Sequence, residues 1–434
     1  MATHYDVIVI GAGMAGLTAA RKIAETGKHV AVLSRGLGTT NMSTGAIDLL
    51  GYVQNKLVTN PEDEIRNLVK TLPKHPYSIV GRGDDKKVLE LLRESIQDFK
   101  KITNATYVGE TTRNVLLSNY FGTFRPSCLI PQTMRHGNLL ELTDAKLMAL
   151  GVRGYTEFNA KFFANSLHYA VNSFFKENTI KEVHPREITI PSLGKDREIT
   201  SIEIAEALDT ENTFSRFLEQ LRKLMLYLDV SAVVVPALLG YKNWVQNHAL
   251  LEKELDVPVF ECLSLPPSVP GQRLQRILEN AAIDVGVEIH RGIQILKAHS
   301  ENNVCTKLDA VADIYRQTFK ADVYVLASGS FISEGLYFDR EKIYEPIFDL
   351  PVHSGNKNKF SENRLDSGKH GIAYVGIEID ETMRPIDLDG KIIAKNLFAA
   401  GSILGNYDYI SEKSGLGVAL TTGYLAGVNA INAL

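Results

Sequence analysis

A short run of closely spaced glycines near the start of the chain has the pattern of a phosphate-binding turn. It follows an apolar, β-branched run at residues 5–10 and opens a stretch with helical apolar spacing at residues 14–26. In such a turn the first glycine permits a tight bend, the second lets a phosphate approach the backbone, and the third lets the helix pack on the strand. The helix start also offers N–H groups and a partial positive charge to an anion. The sequence therefore predicts a nucleotide or flavin site, and the predicted contacts are Gly11, Gly13, Met14, Ala15 and Gly16.

The position that usually carries an acidic residue in such a site is occupied by Ser34, at the end of a second predicted strand at residues 29–33. An Asp or Glu there accepts hydrogen bonds from the adenosine ribose of a dinucleotide. FMN has no adenosine ribose, so the serine favours FMN, with FAD as the alternative cofactor. Arg35 follows and is expected either to pair with a phosphate or to lie in solvent.

Two further segments combine small hydroxyl side chains with glycine. Ser43, Thr44 and Gly45 would let the chain lie close to a flat ring and donate hydrogen bonds to its edge, although a plain Ser/Thr turn explains them equally well. Ser328 and Gly329 follow a predicted buried strand at residues 321–326. We count all five among the candidate cofactor-binding residues.

The last candidate segment lies near the C-terminus, where Gly401 and Ser402 end a predicted strand. A second glycine-bearing helix start follows, with Ser414, Gly415 and Gly417. A helix placed there would aim its dipole at the N1–C2=O edge of a flavin and stabilise the anionic reduced form. Residues 414–434 carry no charge, but their glycines, threonines and asparagines make them too weakly apolar for a convincing membrane span. We expect a buried helix, with or without a ligand at its start.

The composition excludes several classes of protein. The 434 residues contain 47 basic and 51 acidic side chains, with no long run of either sign, which argues against nucleic acid or anionic lipid as the main partner. The cysteines Cys128, Cys262 and Cys305 are far apart, so we expect no zinc or iron–sulfur site and no other metal. No signal-peptide pattern begins the chain, and we expect a cytoplasmic location.

These elements predict an α/β fold of the FAD/NAD(P)-binding type, Rossmann-like and similar to glutathione reductase, with an inserted α+β domain. The flavin-binding domain is expected at residues 1–60 and 267–434, and the inserted cap, substrate or subunit-contact domain at 61–266. Within the insertion we predict helices at 86–101, 155–175 and 215–228 and a strand at 231–235. Towards the C-terminus we predict a helix at 273–282, a strand at 286–290 and a strand pair at 294–296 and 314–319.

Nearly the whole sequence resembles the B subunit of the anaerobic, quinone-dependent glycerol-3-phosphate dehydrogenases. A proline-rich segment at residues 265–271 (LPPSVPG) and a later segment at 381–385 (ETMRP) are not general flavoprotein features and make the resemblance specific. Other segments that carry it lie at residues 11–16, 34–36, 43–50, 75–78, 272–275, 326–331, 345–347 and 396–417. One departure is Leu416, which interrupts a glycine run that is longer in bacterial members.

The resemblance implies a three-subunit enzyme that oxidises sn-glycerol 3-phosphate to dihydroxyacetone phosphate and passes electrons to quinone. It implies that this chain is an FMN protein and that its partners are an FAD-containing A subunit together with an iron–sulfur C subunit. The C subunit would attach the complex to the inner face of the cell membrane. In such a complex this chain is either the site of oxidation or an electron relay.

The sequence does not identify a catalytic residue. Alcohol oxidation by a flavin needs a base, and a phosphate substrate needs cations, which makes His75, Arg125, Arg273 and Arg384 candidates. Lys413 could reach the flavin, and the acidic residues Asp408 and Glu412 are as consistent with a surface position. Two other interpretations stay open: a stand-alone flavin oxidoreductase of the fumarate reductase or ketosteroid dehydrogenase type, and a non-catalytic scaffold subunit.

Overall fold

The computed structural model describes residues 3–175, 179–194, 197–353, 360–361 and 370–434. The chain forms two compact units, each assembled from separate stretches of sequence. The first unit comprises Met1–Thr40, Asp48–Thr103 and Gln275–Leu434, and the second comprises Asn41–Ile47 and Asn104–Leu274. The chain therefore leaves the first unit twice before completing it.

The helices are α1 (Met14–Ala24), α2 (Pro61–Thr71), α3 (Pro76–Val80), α4 (Asp85–Ile102), α5 (Ala160–Phe175), α6 (Ser201–Leu208), α7 (Glu211–Met225), α8 (Trp244–Leu255), α9 (Val269–Asp284), α10 (Tyr409–Glu412) and α11 (Gly415–Asn432). The strands are β1 (Thr3–Ile10), β2 (Val30–Ser34), β3 (Tyr52–Val53), β4 (Lys56–Leu57), β5 (Tyr107–Gly109), β6 (Val115–Ser118), β7 (Phe124–Ser127), β8 (Leu129–Pro131), β9 (Ala145–Val152), β10 (Ile180–Ile188), β11 (Ala232–Pro236), β12 (Val259–Cys262), β13 (Glu288–Arg291), β14 (Ile293–Glu301), β15 (Val304–Ala312), β16 (Tyr315–Leu326), β17 (Tyr337–Phe338), β18 (Ile343–Tyr344), β19 (Val352–His353), β20 (Gly376–Ile377) and β21 (Leu397–Ala399).

The first unit is built on a seven-stranded sheet with the order β13-β2-β1-β16-β15-β14, in which β21 also pairs with β16. β13, β2, β1, β16 and β21 pair in parallel, whereas β15 pairs antiparallel with both β16 and β14. Val7, Ile8 and Val9 of β1 are fully buried, as expected for a central parallel strand covered on both faces. The carboxyl ends of β1, β2, β16 and β21 meet at one edge of the sheet, which is where open α/β folds bind ligands.

The predicted β–α–β unit is present, since β1 and β2 pair in parallel from Val7↔Val30 to Ile10↔Leu33. The predicted pairing of the later strands is wrong. β14 pairs with β15, and the two segments predicted at 314–319 and 321–326 form one long strand, β16. β15 escaped detection because its sequence VCTKLDAVA mixes charged residues into a strand that is buried at only a few positions.

The uncharged C-terminal segment forms α11, which packs against α1 and α4. Ser95 Oγ of α4 lies 3.4 Å from Thr421 Oγ1 of α11, and Arg21 of α1 forms a buried ion pair with Asp98 of α4. No helix in the described ranges, α11 among them, is both long and apolar enough to span a membrane.

This packing places the unit boundaries elsewhere than at the predicted residues 60 and 266. Because α4 covers α11, residues 48–103 belong to the first unit, although the insertion was predicted to begin at residue 61. At its other end the second unit closes inside α9, after Leu274. Sequence composition could not locate these borders, since a helix that covers a distant helix carries the same amphipathic pattern as one in a separate domain.

The second unit contains a four-stranded parallel sheet with the order β10-β9-β11-β12, accompanied by α5 to α8. The sequence predicted only β11 of this sheet. β9 was missed because its buried run, Ala145–Val152, has neither strict alternation nor a turn signal that separates it from a helix. Predicted helices at 86–101, 155–175 and 215–228 correspond to α4, α5 and α7 with shifted ends.

Candidate functional site

The glycine-rich turn lies between β1 and α1, at the carboxyl edge of the sheet in the first unit. Gly11 has a φ of +113°, and a Cβ added there would lie 2.2 Å from Ala327 O, beyond the end of β16. A Cβ added at Gly16 would lie 1.9 Å from Gly11 O. Both glycines are therefore required by the packing of the protein itself, as predicted for the tight turn and for the helix–strand contact.

Gly13 differs from the other two because the protein leaves space beside it. Its backbone has a φ of −89°, and an added Cβ would meet only Thr40 Oγ1 at 3.5 Å and Gly38 Cα at 3.9 Å. These are ordinary van der Waals separations, so no protein atom demands a glycine at this position. A phosphate that approaches the start of α1 would demand it, because an added methyl group would occupy the approach.

The loop after β2 folds back over this turn and supplies two residues that the sequence did not single out. Thr40 Oγ1 accepts a hydrogen bond from the N–H of Met14 at 2.9 Å, and a Cβ added at Gly38 would lie 2.4 Å from Gly13 Cα. Thr40 thus caps α1, although it is 26 residues away in sequence. No local spacing rule identifies such a cap, because helix capping signals are read within a few residues.

The end of β2 carries the serine that replaces the usual acid. Ser34 is 6% exposed, and its Oγ has no hydrogen-bond partner among the described residues. Arg35 points its guanidinium at the carboxylate of Glu334 in an exposed ion pair. An exposed ion pair of this kind contributes little stability. It nevertheless engages Arg35, which the sequence analysis considered as a phosphate ligand.

Two more strands bring predicted residues to the same edge of the first unit. At the end of β16, Ser328 Oγ is buried without a partner in the part of the chain that is described. A Cβ added at Gly329 would lie 3.6 Å from Ser402 Oγ, which follows β21. The N–H of Gly401 donates to Thr422 Oγ1 of α11 at 3.0 Å.

Gly401 also touches the phosphate-binding turn. An added Cβ would lie 2.8 Å from the Cβ of Ala15 in α1. The structure therefore brings together the ends of β1, β16 and β21, which the sequence predicted separately. Their convergence follows from parallel pairing, since strands that run in one direction present their carboxyl ends at one edge.

The start of α11 is packed against the protein more tightly than predicted. The N–H of Gly417 donates to Asp48 O at 3.1 Å, and an added Cβ would lie 2.7 Å from Tyr77 Oη. Gly417 is therefore explained by packing alone. Gly415 has room, since an added Cβ would lie 3.5 Å from Tyr409 Cβ, and buried Ser414 donates its hydroxyl to Glu412 at 2.9 Å.

His75 is not available as a general base. It is 1% exposed, and its Nδ1 accepts the N–H of Tyr77 at 3.0 Å, which caps α3. That hydrogen bond places the ring proton on Nε2, which lies 3.2 Å from Glu412 Oε2 and donates to it. With both ring nitrogens committed, His75 joins α3 to the segment before α11.

Arg384 and Lys413, also in the first unit, hold structural positions. Arg384 pairs with Asp380 at 2.9 Å, four residues earlier. Lys413 ends α10 with a φ of +52°, and Asp408 caps the start of the same helix through the N–H groups of Ile410 and Ser411. These residues shape the loop that leads into α11.

Arg273 belongs to a buried ion pair in the second unit. Its guanidinium donates to Glu261 at 2.7 Å and to Gly240 O at 2.6 Å, and lies 5.0 Å above the ring of Trp244. Burial opposes the ionisation of Glu261, but Arg273 and donated hydrogen bonds, one of them from Thr133, hold its pKa below the ordinary value. Arg273 is thus fully engaged and cannot act as a phosphate clamp.

The remaining candidate arginine is Arg125 in β7, where burial lowers its pKa to about 10. A guanidinium with that pKa is still charged at neutral pH. The structure places Arg125 in the second unit, on β7, which pairs with β6.

The hydroxyl-rich segment at 43–45 also lies in the second unit. A Cβ added at Gly45 would lie 2.6 Å from Pro270 Cβ, and Tyr107 Oη donates to Gly45 O at 2.7 Å. The Ser43 hydroxyl accepts the N–H of Gly45 at 3.3 Å, and Thr44 is half-buried beside it. This segment therefore packs against the proline-rich segment at residues 265–271.

The described residues contain no cluster of His, Cys, Asp and Glu side chains suited to a metal ion. The three cysteines are free thiols and are buried. In the first unit, by contrast, the features suit a phosphate-bearing cofactor: space beside Gly13, a helix start at Met14, and unpartnered buried hydroxyls on Ser34 and Ser328. These residues fit a flavin nucleotide.

Comparison with known proteins identifies the class. Residues 6–418 match the family model described as FAD binding domain, and the chain belongs to this family of flavin-dependent oxidoreductases. The predicted flavoprotein fold class is thereby confirmed, whereas the preference for FMN is not supported, because the family's description names FAD.

Relatives that match over their full length identify a more specific family. A protein of Halobacterium salinarum named as the probable B subunit of an anaerobic glycerol-3-phosphate dehydrogenase is 30% identical, and the match covers 100% of this chain and 99% of the relative. The Yersinia enterocolitica protein named as the B subunit of the same type of enzyme is 29% identical over 99% of each chain. The chain therefore belongs to the family of B subunits of anaerobic glycerol-3-phosphate dehydrogenases, as the sequence resemblance predicted.

Solved structures match at lower similarity. The open conformation of a flavocytochrome c3 fumarate reductase is 10% identical, with a TM-score of 0.46 and coverage of 99% of this chain and 78% of that one. The 3-ketosteroid delta1-dehydrogenase of Sterolibacterium denitrificans is 12% identical, with a TM-score of 0.45 and coverage of 99% and 100%.

Proposed function

We propose that this chain is the flavin-carrying subunit of an anaerobic glycerol-3-phosphate dehydrogenase complex, and that it holds FAD at the carboxyl edge of the sheet in the first unit. The observation that carries the proposal is the end-to-end similarity to proteins named as B subunits, combined with the FAD-binding family match over residues 6–418. When bound, a flavin supplies two-electron redox chemistry that side chains do not provide.

The residues of the first unit have distinct parts in this proposal. Gly13 leaves room for the phosphates at the start of α1, whose first N–H groups would donate hydrogen bonds to them. Gly401 and Ser328 line the same sheet edge from β21 and β16 and lie where the ring system would be held. The contacts with protein atoms at Gly401 explain why no larger residue stands there.

We propose that the chain relays electrons, and that sn-glycerol 3-phosphate is oxidised to dihydroxyacetone phosphate elsewhere in the complex. Three of the four candidate side chains support this division of labour: His75 has both ring nitrogens bonded, and Arg273 and Arg384 are paired with carboxylates. A base and a phosphate clamp would then come from an FAD-containing A subunit, and an iron–sulfur C subunit would pass electrons to quinone and attach the complex to the inner face of the cell membrane.

The absorbance spectrum of the purified chain, with the released cofactor identified by mass, tests the cofactor. Bound FAD, or FAD taken up on reconstitution, is the expected result. FMN bound in preference to FAD would overturn the FAD assignment, and the absence of any flavin after reconstitution would leave a scaffold role.

Turnover tests the relay. The purified, flavin-loaded chain is expected not to oxidise glycerol 3-phosphate with an artificial electron acceptor. Adding A-type and C-type subunits from the same source is expected to restore oxidation, and the flavin of this chain should then be reduced by substrate. Turnover by the chain alone would instead establish a self-sufficient oxidoreductase.

A further inference from the structure

Gln275 lies beside the phosphate-binding turn with one of its polar atoms unsatisfied. The side chain is 3% exposed, and its Nε2 donates to Ala12 O at 2.7 Å and to Glu279 Oε1 at 2.6 Å. Both partners are acceptors, so the amide orientation is fixed: a flipped amide would set its oxygen against two other oxygens. Gln275 Oε1 is therefore a buried acceptor with no donor among the residues that the structure describes.

Glu279 connects this amide to the end of β2. Its carboxylate receives Gln275 on one oxygen and contacts the guanidinium of Arg291 with the other. Arg291 is the last residue of β13 and stands opposite Ser34 in the parallel pairing of β13 with β2. A hydrogen bond and an ion pair thus connect Gln275 through Glu279 to Arg291. These contacts extend from the glycine-rich turn to the end of β2, where Ser34 stands in place of the usual acid.

A buried acceptor without a donor is costly, and a free-energy penalty of about 1–3 kcal/mol is typical for such a group. A bound group that carries a hydroxyl would remove the penalty. In dinucleotide sites the acid at the end of the second strand accepts hydrogen bonds from the adenosine ribose. Ser34 cannot take the place of that carboxylate, because its side chain is shorter than that of Asp or Glu and carries one oxygen instead of two.

We propose that Gln275 Oε1 accepts a hydrogen bond from a ribose hydroxyl of the adenosine in FAD, so that α9 supplies the acceptor that β2 lacks. Glu279 is a positioning residue, which holds the amide of Gln275 with its oxygen free. This inference rests on the proposed function, because it requires the cofactor to be FAD.

The first test compares FAD with FMN in binding titrations of the full chain stripped of cofactor. Gln275→Met is expected to weaken FAD binding by about tenfold or more, the loss typical of one buried hydrogen bond, and to leave FMN binding unchanged because FMN has no adenosine. Gln294→Met, at an exposed position on β14, is the matched control and should change neither affinity. Glu279→Gln should also lower the ratio of the affinity for FAD to the affinity for FMN.

Equal weakening of FAD and FMN would overturn the inference, since it would show that Gln275 only supports the glycine turn through Ala12. Unchanged FAD binding would overturn it as well. The readout is the ratio of two affinities, and a merely structural role does not alter that ratio.

A second test changes the cofactor. FAD analogues that lack the 2′- or the 3′-hydroxyl of the adenosine ribose are expected to bind the original chain more weakly than FAD, one of them by about tenfold. The Gln275→Met variant should bind that analogue and FAD alike. An original chain that does not distinguish either analogue from FAD contradicts the inference, whereas an original chain that binds no FAD contradicts the proposed function itself.

Discussion

At the scale of single residues, the three glycines of the turn separate into two kinds. Gly11 and Gly16 are enforced by protein atoms within 2.2 Å of an added Cβ, whereas Gly13 has ordinary space around it. The same residue type therefore serves packing at two positions and a ligand at the third. The spacing alone cannot make this distinction, because it records only where a side chain is absent.

Substitution by alanine separates the two kinds. Gly13→Ala is expected to leave the free energy of unfolding of the cofactor-free chain nearly unchanged and to weaken FAD binding by about tenfold or more, because the methyl group blocks the approach of the phosphate. Gly16→Ala should destabilise the chain by about 1–3 kcal/mol or more through overpacking. Thermal unfolding of the cofactor-free protein and FAD titration measure the two effects. Strong destabilisation by Gly13→Ala would contradict this division.

The buried pair of Glu261 and Arg273 predicts a pH dependence of stability. The pKa of folded Glu261 is lowered, so its contribution is complete above the pKa of the unfolded state, near 4.5, and is lost as the pH falls through the folded value. Glu261→Gln leaves a buried cation without its partner and should cost about 3–5 kcal/mol at neutral pH. The exposed Glu206→Gln is the control.

Unfolding midpoints measured between pH 7 and pH 3 test this. The loss of stability on acidification should be smaller in Glu261→Gln than in the original chain. A double variant, Glu261→Leu with Arg273→Met, should recover part of the stability, because no unpaired buried charge remains. An acid sensitivity that is equal in all four proteins would exclude this pair as its source.

At the scale of elements, the start and the middle of α11 contact different parts of the first unit. Its start lies beside His75 and Glu412, and its middle lies against α1 so closely that a Cβ added at Gly423 would sit 2.4 Å from Ala15 O. The uncharged character of this helix thus follows from its burial between α1 and α4. The sequence predicted a buried helix, and the contact with α1 explains Gly423 and Gly427.

Two alanine substitutions within α11 test this. Gly423→Ala should push α1 away, destabilise the chain by about 1–3 kcal/mol and weaken FAD binding through the displaced start of α1. Gly415→Ala has 3.5 Å to the nearest atom and should be neutral or stabilising by about 0.4–1 kcal/mol. Thermal unfolding distinguishes them. Equal effects of the two substitutions would show that the close approach of α11 to α1 does not limit stability.

At the scale of the whole molecule, cofactor binding and folding are linked. A ligand that binds only the folded chain stabilises it by about 2.7 kcal/mol at a concentration 100 times the dissociation constant. We expect FAD to raise the Tm of the cofactor-free chain, and FMN at the same concentration to raise it less. An equal rise would argue that the adenosine half of FAD makes no contact with the protein, and no rise with either would argue against a flavin site.

The sequence by itself determined the β–α–β unit, the glycine turn, the buried C-terminal helix and the family, because each depends on residues close together in the chain or on similarity along its full length. Gly11 and Gly16 act within a few residues of the turn that needs them. The resemblance to the B-subunit family was confirmed by the relatives.

Only the tertiary structure decided which side chains remain available for chemistry. His75 is committed to Glu412, 337 residues away, and Gln275 reaches Ala12 across 263 residues. The boundary between the units was decided in the same way, by the packing of α4 on α11. Hydrogen bonds and burial between distant segments leave no local pattern in the sequence, since each partner alone has the character of an ordinary polar or apolar residue.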